Sequence, residues 1–302
     1  MSSDLSVGDT KNKRKYVIYE NDLKFKNMRN LDPSKIKWSL DKLETMYYNE
    51  NLDSIEYRFR ECEKNDFYFL DLSRLNLKNI PIIPINIIKS IKYLFLNDNN
   101  IEQIDLNNEY VNLEALDINN NKINLLQNLP NNLIELCCKC NNINDIPYIN
   151  NLKILDCSSN KLNNIKNYSN LEILICSDNN ILDIPLYKNI KKLICKNNKI
   201  TVIKSYLDLE YLDCSYNDII KINNCPNIRD LLCRNTKLTT IPLKLNNLQY
   251  LEIYENKFEI LEFYPNLKEL YCDIDGVNKI SDKYIVNDSK MYDNKYLIII
   301  FN

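Results

Sequence analysis

Four consecutive stretches of this sequence repeat one pattern. They read "LKILDCSSNKLNNI" at 152–165, "LEILICSDNNILDI" at 171–184, "IKKLICKNNKITVI" at 190–203 and "LEYLDCSYNDIIKI" at 209–222. Each copy starts 19 residues after the previous one and follows L-x-x-L-x-C-x-x-N-x-I-x-x-I closely. A pattern locked to a fixed short period indicates a repeat architecture, in which each unit stacks on the next.

The pattern extends in both directions from these four copies. Eleven copies start at residues 67, 91, 113, 133, 152, 171, 190, 209, 228, 248 and 267. We number positions within a repeat from its start. Position 4 is leucine in all eleven copies, and position 9 is asparagine in eight, the exceptions being Leu75, Thr236 and Asp275. Asn, Ile, Lys and Tyr are common, as in an AT-rich genome, but codon bias cannot produce a pattern with fixed phase.

The repeats resemble the leucine-rich repeat family, in its short form of 19 to 20 residues, over residues 67–280. The resemblance implies a right-handed solenoid in which each repeat adds one short strand to a concave parallel β-sheet, with about eleven rungs. The alternation of side-chain directions along a β-strand agrees with this fold. In such a strand positions 4 and 6 point inward, while positions 3, 5 and 7 point outward. We expect the position-9 asparagines to bond backbone groups as a ladder. So short a repeat leaves room only for 3₁₀ turns or extended chain on the convex side.

The segment "ELCCKC" (135–140) raises the question of a metal site, a redox switch or a nucleophile. Cys138 occupies position 6, which is cysteine in seven repeats, and we predict a buried column of thiols that fill a narrow core. A line of thiols is not a tetrahedral metal site, and side chains that point the same way fit a disulfide poorly. Cys137 at position 5 faces the concave side between Asp117 and Asp156, whose charges raise a thiol pKa. Cys140 lies at the rim, and we predict no chemistry for the segment.

Composition excludes several classes of function. The 302 residues include 39 basic and 41 acidic side chains, so no general attraction to nucleic acid or to an anionic membrane is expected. The chain has no histidine, which removes the usual general base and the commonest metal ligand. Its only glycines are Gly8 and Gly276, so no glycine-rich phosphate loop exists. We therefore predict that the protein is not an enzyme and has no cofactor or metal.

Both ends of the solenoid need caps because a bare end exposes its core. We predict a polar, basic, disordered tail over 1–15, in which Lys11–Lys15 is either solvated chain or a nuclear import signal. Residues 16–66 are predicted to form a helical cap, with one helix entered at Asp32-Pro33 and a second opened by Asp53. The alternative for this region is a degenerate F-box without its usual Leu-Pro entry. Residues 281–302, which end in "YLIIIF", are predicted to close the other end as a strand or an apolar plug.

Outward positions of the middle repeats carry aliphatic and aromatic residues that the core does not need. Such a contiguous patch marks a protein interface, although an idle surface rich in codon-driven Ile and Tyr is the alternative. The predicted protein-binding residues of the concave face are Ile154, Ile173, Ile175, Lys192, Ile194, Tyr211, Leu232, Arg234, Tyr250, Tyr254 and Tyr271.

The sequence predicts a non-catalytic scaffold that binds a protein partner through its concave face. A ubiquitin-ligase adaptor with a degenerate F-box-like region is the alternative from a second class. We expect a monomer that does not bind nucleic acid. We also expect no membrane association, because no apolar run is long enough to cross a bilayer. An odd number of cysteines, 11, without a signal peptide predicts an intracellular, cytoplasmic protein, with the nucleus as a second possibility.

Overall fold

The structure is a computed structural model that describes residues 54–106, 109–242, 244–258, 261–273, 286–292 and 296–301. All of these residues belong to one unit, which spans residues 53–302. Its dominant element is a sheet of 13 strands, of which eleven are parallel and come one from each predicted repeat.

Each of the eleven parallel strands begins two residues after a predicted repeat start. The strands are β1 Phe69–Asp71, β2 Tyr93–Phe95, β4 Ala115–Asp117, β6 Glu135–Cys137, β7 Ile154–Asp156, β8 Ile173–Ile175, β9 Lys192–Ile194, β11 Tyr211–Asp213, β13 Asp230–Leu232, β14 Tyr250–Glu252 and β15 Glu269–Asp273. Their register places equal repeat positions side by side, so that Leu193 pairs with Leu174 and Leu212. The solenoid with a parallel sheet is therefore confirmed.

The inward side of each rung is closely packed. The position-4 leucines from Leu70 to Leu270 are at most 1% exposed. All seven position-6 cysteines are free thiols in the core, at 0–3% exposure, as predicted: Cys138, Cys157, Cys176, Cys195, Cys214, Cys233 and Cys272. Burial is the main reason that the pKa of each of these thiols lies above its usual range.

The position-9 asparagines form the predicted ladder just beyond the strands. Asn198 Nδ2 donates to the carbonyl oxygens of Cys176, Cys195 and Lys196 at 2.9, 3.1 and 3.2 Å. Its Oδ1 accepts from the backbone N–H of Ile181 at 2.9 Å. Each amide therefore ties its own turn to the previous rung and satisfies backbone groups that lie away from solvent.

Position 8 takes a left-handed backbone in ten successive repeats. The residues are Arg74, Asp98, Asn120, Cys140, Ser159, Asp178, Asn197, Tyr216, Asn235 and Glu255, with φ between 47° and 62°. Asn and Asp tolerate this conformation better than most residues. The chain has no glycine at any of these turns, so Cys140, Tyr216 and Glu255 adopt it because the neighbouring rungs fix it.

The return side is mostly extended chain with bends, and none of the described residues lies in a 3₁₀-helix. Of the two predicted alternatives, extended chain is therefore the one observed. Two small parallel sheets form there, β3 Gln103–Asp105 with β5 Leu125–Gln127 and β10 Val202–Ile203 with β12 Lys221–Ile222. The longer first repeat has room for the short helix α2, Ile85–Ser90.

A column of buried tyrosines, which the sequence analysis missed, lines this return side. The side chains are Tyr168, Tyr187, Tyr206 and Tyr264, each at most 2% exposed. Their hydroxyls donate to carbonyl oxygens of the previous rung, for example Tyr187 to Lys166 at 2.8 Å and Tyr206 to Pro185 at 3.0 Å. Cys225 and Leu245 take the equivalent place in the two repeats before Tyr264. The hydroxyls give partners to carbonyl groups that lie away from solvent on the return side.

The helix α1, Ile55–Lys64, precedes the first strand and packs on it. Ser54 is its N-cap, with Oγ accepting from the Tyr57 N–H at 3.1 Å, rather than the predicted Asp53. Cys62 is buried in the same core cluster as Leu70 and Leu72 of the first repeat. Asp53, the predicted helix at Asp32-Pro33 and the tail over 1–15 all lie outside the described residues.

At the other end the sheet turns antiparallel. The strand β17, Tyr296–Phe301, pairs with β15, and β16, Val286–Tyr292, pairs with the far side of β17. Ile299 and Phe301 are buried against the last rungs, so the "YLIIIF" segment covers the core there as a strand.

Candidate binding surface on the concave sheet

The strand register assembles the predicted residues into two adjacent columns. At position 3 the order is Ile154, Ile173, Lys192, Tyr211, Asp230, Tyr250 and Glu269. At position 5 it is Asp156, Ile175, Ile194, Asp213, Leu232, Glu252 and Tyr271. Ile173, Ile175 and Ile194 therefore meet across two neighbouring strands, and Leu232 follows two rungs later.

Nine of the eleven predicted binding residues are partly exposed, and two are not. Ile154 is 7% exposed and Tyr254 is 8% exposed, so neither offers much surface to a partner. Ile154 is flanked in register by Glu135 and Ile173, and the Arg234 guanidinium lies 5.5 Å from the Tyr254 ring. Both side chains are therefore largely buried, and their part in binding stays a prediction.

Cations of this surface rest on tyrosine rings of adjacent rungs. Lys192 Nζ lies 4.8 Å from the Tyr211 ring centroid, and Lys196 Nζ lies 5.3 Å from that of Tyr216. Arg234 lies 5.1 Å from the same Tyr216 centroid. Cation–π contacts of this kind hold a long, flexible side chain in place. Tyr216, at the left-handed position 8, was not among the predicted residues.

We call the four residues Lys196, Tyr216, Arg234 and Tyr254 the cationic rim, because they alternate charge and ring along four successive repeats. Arg234 Nη1 lies 3.1 Å from Glu252 Oε1 and also donates to the Tyr254 hydroxyl. Burial acts to lower the pKa of Arg234, but these two partners outweigh it and raise that pKa. Burial first, with Glu252 beside it, raises the pKa of Tyr254 to about 12. The guanidinium is thus fixed and charged.

A pair of tyrosine rings lies at the C-terminal end of this surface. The rings of Tyr250 and Tyr271 have centroids 5.0 Å apart at an interplanar angle of 40°. Their hydroxyls donate to Glu252 at 3.3 Å and Glu269 at 3.4 Å, respectively. Burial, followed by the charge of Glu252, raises the pKa of Tyr250. The pair presents rigid rings whose polar ends are already directed to carboxylates.

The cysteine-rich segment has the flanking carboxylates that the sequence predicts, but Cys137 is 5% exposed and therefore buried. Cys137 pairs in register with Asp117 and Asp156, and its Sγ lies 3.6 Å from Glu135 Oε1. Burial first, and then the charge of Glu135, raises the pKa of Cys137 well above its usual range. A thiol in this state is a poor nucleophile. Within the described ranges, no group of three or more possible ligand side chains is arranged to hold a metal ion.

Comparison with known proteins identifies the architecture. No protein-family model and no curated protein matches the chain. YopM from Yersinia enterocolitica WA-314 aligns over 80% of this chain and 68% of its own, with 21% identity and a TM-score of 0.54. The leucine-rich repeat domain of APL1B aligns over 82% of this chain and 95% of its own, with 16% identity and a TM-score of 0.56.

The fold is that of a leucine-rich repeat solenoid. The leucine-rich repeat part of FLRT2, solved in an octameric complex with Latrophilin 3 and Unc5D, is similar as well. It aligns over 67% of this chain and 80% of its own, with 20% identity and a TM-score of 0.51. Across the described part of this leucine-rich repeat solenoid, no helix has both the length and the apolar character needed to cross a membrane.

Proposed function

We propose that the protein is a non-catalytic scaffold that binds a protein partner in the concave face of its solenoid. The observation that carries this proposal is the cluster of partly exposed aliphatic side chains Ile173, Ile175, Ile194 and Leu232, framed by fixed cations and tyrosines. A strand position that faces outward does not need an aliphatic residue for the core. An apolar centre with a charged rim is the usual anatomy of a protein interface.

The fold supports a binding role, since the leucine-rich repeat part of FLRT2 occurs in a complex with two other proteins. The chemistry of Cys137 and Cys138 argues in the same direction, because their raised pKa values disfavour a cysteine nucleophile. The proposal includes a monomer that takes a protein rather than nucleic acid as its partner. It also includes an intracellular location, cytoplasmic or nuclear. The adaptor alternative rests on residues 16–66, most of which lie outside the described ranges.

The test compares two fourfold variants as baits in an affinity purification from lysate of the natural host cell. The concave variant changes Ile173, Ile175, Ile194 and Leu232 to glutamate. The matched control changes four residues outside the concave sheet that are 54–62% exposed, namely Leu182, Leu186, Leu207 and Ile220, to glutamate. Circular dichroism establishes that both variants fold.

We expect the concave variant to lose its partner by at least about tenfold in recovery, since central apolar contacts carry most of the energy of an interface. The control variant should retain that partner. Equal recovery by both variants would contradict the proposal and place binding elsewhere on the chain. Ligase subunits among the proteins retained by both would favour the adaptor function instead.

A further inference from the structure

The cationic rim holds two cations, and one of them, Arg234, has an ion-pair partner among the described residues. Lys196 and Arg234 both lie against the ring of Tyr216, at 5.3 and 5.1 Å from its centroid. Glu252 forms an ion pair with Arg234, whereas no carboxylate of the described residues forms one with Lys196. Two cations therefore share one ring, and one of them is ion-paired. Asp213 lies in register between Ile194 and Leu232, and its Oδ1 accepts from the Ser215 N–H at 3.1 Å.

Arg234 also has donors to spare. Its contacts with Glu252 and Tyr254 both use Nη1, and Nε is covered by protein without a hydrogen-bond partner among the described residues. Ser215, which lies at position 7 between Lys196 and Arg234, is 1% exposed, and its Oγ has no such partner either. Nη2 takes part in neither contact, and a hydrogen bond from a guanidinium to a carboxylate is stronger than one between neutral groups. The side chain of Arg234 is 26% exposed, so an outside group can reach it.

The rim adjoins the aliphatic cluster. Lys196 follows Ile194 by two residues, and Arg234 follows Leu232 by two residues, with both members of each pair on the outward side. In an extended partner segment, side chains two positions apart lie about 6.5 to 7 Å from each other on one face. An apolar side chain over Ile194 or Leu232 would therefore bring a residue two positions away to the rim.

We propose that the cationic rim recognises an acidic side chain of the protein partner, placed about two positions from an apolar residue that sits on the aliphatic cluster. This inference rests on the proposed function, because it specifies the partner chemistry of the same face. The carboxylate accepts from Arg234 and is attracted by Lys196. Tyr216 and Tyr254 hold both cations in place, which lowers the entropy lost on binding.

The experiment uses a phage-displayed library of random dodecapeptides, selected on the full chain and counter-selected on the fourfold concave variant. Selected peptides are then measured against Lys196→Glu and against Lys199→Glu, an exposed lysine of the same repeat outside the concave sheet. We expect Asp or Glu at a fixed spacing from an apolar residue. Binding should fall about tenfold in Lys196→Glu and stay unchanged in Lys199→Glu. Replacing the peptide's acidic residue by lysine should restore binding to Lys196→Glu.

The possible failures are distinguishable. Peptides that need the aliphatic cluster but show no acidic preference, and bind Lys196→Glu normally, would overturn this inference and leave the proposed function standing. If no peptide distinguishes the native chain from the fourfold variant, both fail. Tight binding of single-stranded oligothymidylate that Lys196→Glu abolishes would also overturn the assignment, since the rim would then serve nucleic acid.

Discussion

The repeats that start at 190 and 228 share a strand, a left-handed turn and a buried thiol, but they differ at position 9. In the first, Asn198 contacts three carbonyl oxygens and one backbone N–H. In the second, the Thr236 hydroxyl lies 3.2 Å from the Cys233 carbonyl and 2.6 Å from Asn256 Oδ1. A hydroxyl has one hydrogen, so it cannot donate both to a carbonyl of its own rung and to a carbonyl of the previous rung, as the Asn198 amide does.

The thiol column, in contrast, runs through both repeats without change. Cys195 and Cys233 are both fully buried. The comparison therefore separates two sources of stability: apolar packing is continuous along the solenoid, while the polar ladder is interrupted at Thr236. The interruption lies two residues after Arg234, next to the cationic rim.

The largest effect should come from alkaline pH, which acts on the buried position-6 thiols. Because both repeats contain such a thiol, both should be destabilised alike. Burial holds the pKa of the position-6 thiols above their unfolded value, for example at about 12 for Cys272. Below an unfolded cysteine pKa of about 8.5, both states keep the proton, and stability is fully present. Above it the unfolded chain alone loses protons, so each thiol costs about 1.4 kcal/mol per pH unit. For seven thiols we expect a loss of about 10 kcal/mol per pH unit, and unfolding soon after about pH 9.

Circular dichroism as a function of pH, with urea titrations at each value, measures this loss. As a control, Cys195→Ala with Cys233→Ala removes one thiol from each repeat and should reduce the pH slope in proportion. At neutral pH, labelling of the native protein should modify one thiol quickly, because Cys140 is the one cysteine that is not buried. Stability that stays constant to about pH 10.5 would contradict a buried thiol column.

The second prediction breaks the ladder in each repeat separately. Asn198→Ala leaves three carbonyl contacts and one N–H contact unmade, and we expect a loss of about 3 kcal/mol in the free energy of unfolding. Thr236→Ala removes one hydroxyl and should cost about 1 kcal/mol. Urea midpoints of the two variants measure the difference. Equal losses would show that Thr236 supports its rung as well as an amide does.

Periodicity made the rungs and their interior predictable from the sequence. Fixed leucine at position 4 and cysteine at position 6 mark the inward face, so the strands, the thiol column and the asparagine ladder all occur where the pattern places them. These features depend on which residue type recurs at which phase. That information is written in the sequence and depends little on the exact shape of the coil.

Other features depend on the sign of the backbone angle φ and on the lengths of neighbouring side chains, neither of which the pattern encodes. Six of the ten left-handed residues are Asn, Asp or Ser, a signal that was present, but Tyr216 and Glu255 conceal it. The pattern places Ile154 and Tyr254 at outward positions, yet it does not show that both side chains are buried. The role of Tyr216 in the cationic rim also requires knowing where Lys196 and Arg234 reach, which only side-chain geometry supplies.

The smallest predicted effect comes from a substitution that restores asparagine at the interrupted position of the ladder. Thr236→Asn should let the amide donate to the carbonyl oxygens of Cys214 and Cys233, as Asn217 donates to Cys195 and Cys214 at 2.9 and 3.1 Å. We expect a gain of about 1 kcal/mol in the free energy of unfolding, measured by the urea midpoint. Ser215→Asn, which adds an amide at position 7 rather than at position 9, is the control and should not stabilise. A destabilised Thr236→Asn would mean that the backbone of this rung has shifted to suit threonine, and that the two repeats differ in more than one side chain.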